Sequence, residues 1–489
     1  MRFEIESMPG ALLGFNLSMK TITSVGSVGR SSDVMGCDKK SLTRASEKAA
    51  AALPLNIDQL LIDVFFYLEK SVKRKENLKN FQELCSGETR KILKHVCTRW
   101  LSLGRALGRF IEQWDALLKY FHEETKTKPQ IPSNLSAYKI PKTNFASNQN
   151  ALKGKSQHTE SNPLKRKCLE DSSKVNFVKE VEGKKKQSSI SREERIFYLL
   201  SSDLNKAYCS FVLSTIKIFE SVNTLLQSAS PKSPLLIQIL NDLLKELYTK
   251  FVKPSVVKNS VLIRVAYNSL ANQKDDNDLI IGNQTRELVN SLKDHEKKEF
   301  FQCVRKYFSS ACDYIVRKFP LQNEVLLNAE VANLKQIENS SFEKIRFFID
   351  KFPFLLTIKE NECHNDALDE LQNQFSAAQF EDFASSGEDR LDVLVGTLKR
   401  IKRADGTPKY DRLARVLCAI LVIPHSNAEC ERVFSVVKKN KTMFRSSISP
   451  KTLENILIAK CYEETNCYDR KFSKEFLAKA KKCTLNSLQ

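Results

Sequence analysis

The sequence predicts a mainly α-helical chain, and three observations carry that expectation. Apolar residues recur at spacings of three and four over long stretches, which places them on one helix face. Short runs of strict apolar–polar alternation between turn residues, the mark of strands, are scarce. Prolines such as Pro320, Pro353 and Pro424 stand where the helical runs stop, because proline has no N–H for an interior helical position.

The elements follow in order. Residues 1–45 are weakly patterned, with Gly, Ser and Thr between short apolar runs such as residues 11–15. From Ser46 the pattern changes. Leu60, Leu61, Val64, Phe65 and Leu68 share one helical face. A second helix is expected from Ile92 through Phe121, with Trp100, Leu103, Leu107, Phe110, Trp114, Leu117 and Leu118 on its apolar stripe. Residues 126–196 are rich in Lys, Ser, Asn and Pro and read as a basic disordered linker. This linker holds Lys165-Arg166-Lys167 and Lys184-Lys185-Lys186, clusters that serve nuclear import or nucleic-acid contact when they are not simply solubilising.

From Glu193 to about Lys351 the chain is expected to be mostly helical. One is expected to hold Tyr198, Leu199, Leu204, Tyr208 and Phe211 and run on through Ile216, Phe219 and Val222. Others cover 235–251, 288–319 and 342–348. Residues 359–388 are acidic and read as a loop or a marginal helix.

The bulk numbers narrow the function. A length of 489 residues suggests two to four domains at ~100–200 residues each. With 42% hydrophobic and 28% charged residues, the chain is not disordered as a whole. Its net charge of +20 favours a polyanionic partner, unless the charge is a solvated surface. Thirteen cysteines without a Cys-x-x-Cys pair argue against a zinc finger and a disulfide framework, and fit a reducing compartment. Cys209, Cys303, Cys312 and Cys418 sit in apolar patterns and read as small core residues. No signal peptide is evident. Residues 416–423, the longest apolar stretch in the C-terminal half, are too few to span a bilayer. No membrane partner and no small-molecule substrate are expected.

The C-terminal segment is the most informative. A turn at Asp405-Gly406-Thr407-Pro408 precedes a helix with Tyr410, Leu413, Leu417 and Ile420 on one face. A second helix is expected to start at Ser426 with a capping box, Ser426 accepting from the N–H of Glu429 and the Glu429 carboxylate reaching back. Cys430, Val433, Phe434 and Val437 then lie on one side, and Glu431, Ser435 and Lys438 on another. A third helix starts at Ser449-Pro450 and carries Leu453, Ile456, Leu457 and Cys461. Between them Lys438, Lys439, Lys441 and Arg445 form a basic stretch, either nucleic-acid contacts or a solvated face. These apolar faces exceed what three short helices can hide among themselves, so another domain or another chain is expected to cover them.

Residues 423–435, Ile-Pro-His-Ser-Asn-Ala-Glu-Cys-Glu-Arg-Val-Phe-Ser, closely resemble the C-terminal dimerisation region of hAT-superfamily transposases. Lys441-Thr442, Arg445, Leu453 and Leu457 continue the resemblance, and Thr98-Arg99-Trp100-Leu101-Ser102-Leu103 looks like the family's Arg-Trp segment. The resemblance implies the helical insertion domain of a hAT transposase with an incomplete RNase H-like core. It also divides the chain into a degenerate N-terminal remnant (1–45), a helical segment with the Arg-Trp motif (46–125), the linker (126–196), the helical insertion domain (197–385), the dimerisation region (386–470) and a tail (471–489).

Such transposases hold two divalent cations with two aspartates and one glutamate. By motif position Glu431 matches the glutamate, and Trp100 matches a residue with a structural or DNA-end role. The aspartates have no match. Val28 stands where one is expected in Gly26-Ser27-Val28-Gly29, Asp33 is a rival in a compressed version of the region, and Lys40 stands where a histidine would follow Cys37. The expectation is therefore a non-enzyme without a metal or cofactor, Mg²⁺ or Mn²⁺ entering only in an active transposase. It would dimerise with itself or related hAT-derived proteins through Leu413, Leu417, Ile420, Cys430, Val433, Phe434, Val437, Leu453, Ile456 and Leu457. Nuclear location is expected, otherwise cytoplasmic, with DNA as an added partner. Two alternatives stay open: a fragment of an active transposase, and a non-specific basic nucleic-acid-binding scaffold.

Overall fold

The computed structural model describes residues 39–86, 88–95, 102–126, 190–442, 445–461 and 471–486. The motif residues Val28, Asp33, Cys37, Trp100, Lys165, Arg166, Lys167, Lys184, Lys185 and Lys186, and the side chain of Lys40, lie outside them. The chain forms two compact units, a larger one that ends at His425 and a smaller one of Ser426–Gln489 with Gln227–Ala229.

The larger unit contains α1 (Lys39–Ala50), α2 (Ile57–Glu69), α3 (Val72–Ser86), α4 (Leu103–Glu112), α5 (Trp114–Lys126), α6 (Arg192–Leu200), α7 (Asp203–Leu226) and α8 (Leu236–Phe251). It continues through α9 (Pro254–Lys258), α10 (Asn283–Asn290), α11 (Asp294–Lys318), α12 (Glu324–Ala329), α13 (Phe342–Lys351), α14 (His364–Ala378), α15 (Leu391–Arg400) and α16 (Asp411–Leu421). The smaller unit contains α17 (Ala428–Asn440), α18 (Pro450–Cys461) and α19 (Lys474–Asn486). The expected mainly α class holds. Among the described residues there is no strand, and the isolated bridges Val252–Gln273 and Lys402–Pro408 are the extent of β pairing there.

The larger unit has two hydrophobic clusters. The first joins α1–α8 with α10 and α11. Its centre is aromatic. Phe211 meets Phe300, Tyr307 and Phe308 edge-on, with ring centroids 5.0–6.0 Å apart, a geometry that adds about 0.5–1.5 kcal/mol per pair beyond burial. The second cluster gathers α13–α16 around Phe348, Leu371, Leu394 and Leu417. One described helix, α7, is long and apolar enough to cross a membrane by length and composition. Its apolar side chains, Phe211, Ile216 and Phe219 among them, are buried in the first cluster.

Several helices divide where periodicity predicted continuity. The helix expected from Ile92 does not start there: residues 92–95 are non-helical, and the helical part is two helices from Leu103, because Gln113 leaves helical geometry (φ −103°, ψ 12°) and turns Trp114 inward. The Trp114 indole N–H then donates to the Leu200 carbonyl at 3.2 Å. The stretch 198–222 breaks at Ser201 and Ser202, where the Ser202 hydroxyl accepts from the N–H of Asn205 at 3.3 Å. The stretch 288–319 breaks before Asp294, with Lys293 in the cap position. Helices α1 and α3 went unread, and α1 begins inside the segment taken as weakly patterned. The acidic stretch 359–388 resolves into α14, whose Ala367, Leu371 and Phe375 are buried.

Buried charge clasps α6 to α2. Asp63, on the buried face of α2, pairs with Arg195 at 2.6 Å and Arg192 at 3.8 Å. A capping box formed by Ser191 and Glu194 starts α6. Trp114→Phe should keep most of the packing but strand the Leu200 carbonyl. The expected loss is about 1–3 kcal/mol of stability, read by urea denaturation. No loss would remove this bond from what fixes the α5–α6 junction.

Candidate dimerisation region

Helix α16 begins where the Asp405–Pro408 turn closes, with Gly406 at φ +81°. A first-turn helix leaves its N–H groups without intrahelical partners. Here the Gln374 side-chain carbonyl, from α14, accepts from the N–H groups of both Arg412 and Leu413 at 3.1 Å. Its amide also donates to the Asp411 carboxylate at 2.7 Å. At the other end the Ser233 hydroxyl donates to the Ile420 carbonyl at 3.4 Å.

Arg412 is buried in α16, at 2% exposure. Its guanidinium donates to the Glu362 carboxylate and to the Ala367 carbonyl. The hydrogen bond from Arg412 holds the Glu362 carboxyl below the usual carboxylate range, helped by the backbone N–H of Lys359. Beside it, Glu381 accepts from the Tyr410 hydroxyl at 2.6 Å and from Lys409 at 2.9 Å, and its carboxyl is lowered by the same two groups.

The expected dimer face therefore needs a correction. Leu413, Leu417 and Ile420 lie at 0–1% exposure in the second cluster of the larger unit. They are packed against their own chain and leave the exposed set. Cys418, expected in a core, is exposed on the same helix; Cys209 and Cys312 are buried and Cys303 is half-buried.

The smaller unit keeps the rest of the predicted face. Helix α17 starts one residue later than the capping-box placement, with Asn427 at the N-cap. The Ser426 hydroxyl accepts from the N–H of Ala428 at 3.4 Å, and the Glu429 side chain lies outside the described residues. Arg432 donates to the Gln227 carbonyl at 3.0 Å, which ties α17 to the 227–229 segment. Asn440 ends the helix with its side-chain amide on the Val436 carbonyl at 2.7 Å. Helix α18 starts as read, the Ser449 hydroxyl accepting from the N–H of Thr452 at 3.1 Å ahead of Pro450.

Along α17, Cys430 and Phe434 are exposed and Val433 and Val437 half-buried; along α18, Leu453, Ile456 and Leu457 are half-buried. Phe434 is 68% exposed, and Ile458, which was not predicted, is 48% exposed. Lys438, Lys439, Lys441 and Arg445 are exposed, as is Glu431. Among the described residues no three His, Cys, Asp or Glu side chains gather as a metal site.

Sequence reasoning missed Arg412, Gln374 and Glu362. A helical stripe contains no cue that a polar residue inside it will find a buried partner some 40–50 positions away in sequence.

Residues 403–461 match the hAT family C-terminal dimerisation region. The match spans α16 in the larger unit and α17 and α18 in the smaller one. No curated protein matches the chain.

Proposed function

We propose, with the hAT-family dimerisation region at 403–461 as the premise, that this is a transposon-derived protein that self-associates through α17 and α18 and performs no strand transfer. One observation carries the self-association. A phenylalanine 68% exposed at mid-helix, with half-buried Val433, Val437, Leu453, Ile456 and Leu457 in the same helix pair, leaves apolar area that a second copy would cover. Full burial of such a side chain is worth about 1.5–3 kcal/mol. The partner is this chain itself or a related hAT-derived protein. Light scattering across the micromolar range should give about twice the 55.9 kDa chain mass. A strict monomer throughout would overturn this reading.

The absence of activity rests on the sequence. Glu431 matches a metal-holding glutamate, while Val28 stands where an aspartate is expected and Asp33 is only a rival candidate for it. One carboxylate does not hold the two cations that such chemistry uses, and no cofactor is assigned. Nicking or strand transfer with Mg²⁺ or Mn²⁺ that Glu431→Ala abolishes would restore the transposase reading.

A second reading is favoured by the exposed Lys438, Lys439, Lys441 and Arg445 together with the net charge of +20. As a nuclear nucleic-acid scaffold, the chain should bind duplex DNA with little sequence preference. Each phosphate contact should add about −0.9 to the slope of log affinity against log salt. Replacing Lys438, Lys439, Lys441 and Arg445 with Glu should flatten that slope in fluorescence anisotropy. Binding that ignores salt would remove these contacts.

A further inference from the structure

We propose that the cleft between α2, α3 and residues 89–92 is a binding site for a small amphiphilic anion, an aliphatic body with one acidic head. The cleft holds about 320 Å³, at the small end of ligand pockets, which start near ~300 Å³. Leu68, Leu78 and Ile92 are buried beneath it and Phe65 closes one side. This apolar floor lies under a cationic rim of Lys75, Lys79, Arg90 and Lys91. An apolar floor under a ring of cations fits a ligand with the opposite arrangement, a hydrocarbon end and a negative end.

The walls are already set. The buried Gln82 amide donates to the Arg90 carbonyl at 2.8 Å and pins the 89–92 segment across α3. The Arg90 guanidinium is held by Glu88 at 2.6 Å and Glu112 at 3.2 Å. Lys75 pairs with Glu69 at 2.9 Å. That leaves Lys79 and Lys91, exposed and without an ion pair among the described residues, to meet an incoming anion. The Glu69 carboxyl is lowered first by Lys75 and further by Lys91 and Lys94, so positive charge prevails at the rim. The lining favours an alkyl body over a nucleotide. Its neutral polar side chains are Gln82 and Thr89, and the Gln82 amide is already engaged, so a base would enter with its polar edge poorly matched.

The test is calorimetric titration of the full chain with hexanoate, octanoate and decanoate. Affinity should rise about fourfold per methylene until the cleft is filled, from ~0.8 kcal/mol per buried CH₂. The double variant Lys79→Glu/Lys91→Glu should bind octanoate at least about tenfold more weakly, since a charge-assisted contact is worth ~1.5–3 kcal/mol. Both side chains are exposed, and circular dichroism checks that the variant remains folded. Affinity that does not depend on chain length, octanoate binding unchanged in the double variant, or equal binding of decyltrimethylammonium would each overturn the proposal. Equal binding of dAMP would overturn the aliphatic body and make the site one for nucleotides.

Discussion

Leu417→Asp should unfold the larger unit, whereas Phe434→Asp should leave the fold intact and break self-association. Both residues lie within the matched segment 403–461, so the family match alone gives no reason to separate them. Burial does. Leu417 is fully buried in the second cluster, and Phe434 is 68% exposed. Truncating a buried leucine costs about 2–5 kcal/mol. An unpaired carboxylate in its place adds a desolvation penalty of several kcal/mol. A domain with ~5–15 kcal/mol of total stability does not survive that sum. An exposed position changes fold stability by only about ±0.5 kcal/mol, while a charge at the centre of an apolar contact opposes association directly. Circular dichroism melts and sedimentation velocity read the two effects separately. A folded, dimeric Leu417→Asp protein would sink the assignment of α16 to the core. An unchanged dimer in Phe434→Asp would move the interface away from α17.

The contrast marks what the sequence made legible. Spacing located α16, α17 and α18, though α16 stops at Leu421 rather than at Pro424, and Pro450 and Ser449 fixed where α18 starts. Spacing gives an apolar face a direction along its own helix but not a partner. Leu413 and Phe434 look alike in a pattern; one is spent on Leu371 and its neighbours in the same cluster and the other is not. Tertiary contacts also decided the breaks. Gln113 and Ser201 carry no strong stop signal, yet the Trp114–Leu200 bond draws α5 and α6 together where each continuous helix would have run on. Helix α3 went unread because its sequence, Val72–Ser86, is strongly charged with few apolar positions. Its Leu78 and Gln82 are buried by tertiary packing, Gln82 with its amide on the Arg90 carbonyl.

Arg412 should carry a large polar effect in the larger unit. At 2% exposure this residue of α16 is buried, with Glu362 as its charged partner among the described residues and Ala367 as a carbonyl acceptor. Arg412→Ala removes the guanidinium, opens a void beside Ala367, and leaves Glu362 facing it without its cation. Losing the pair should destabilise the larger unit, though less than for a pair enclosed on both sides, because Glu362 keeps 17% of its side chain in water. Arg412→Met should cost less, since it fills the space with apolar volume while stranding the same two acceptors. The pH dependence follows from the direction of the Glu362 shift. Its carboxyl is more acidic folded than unfolded, so the unfolded chain binds its proton first. The stability it contributes is therefore present above the ordinary carboxylate range and is lost as pH falls through the depressed folded value. In Glu362→Gln that acid-limb loss should be absent, so wild type and variant should be farthest apart in urea midpoint at neutral pH and approach one another as pH falls below the ordinary carboxylate range. Curves that stay parallel across that window would show that the Arg412–Glu362 contact contributes through packing rather than charge.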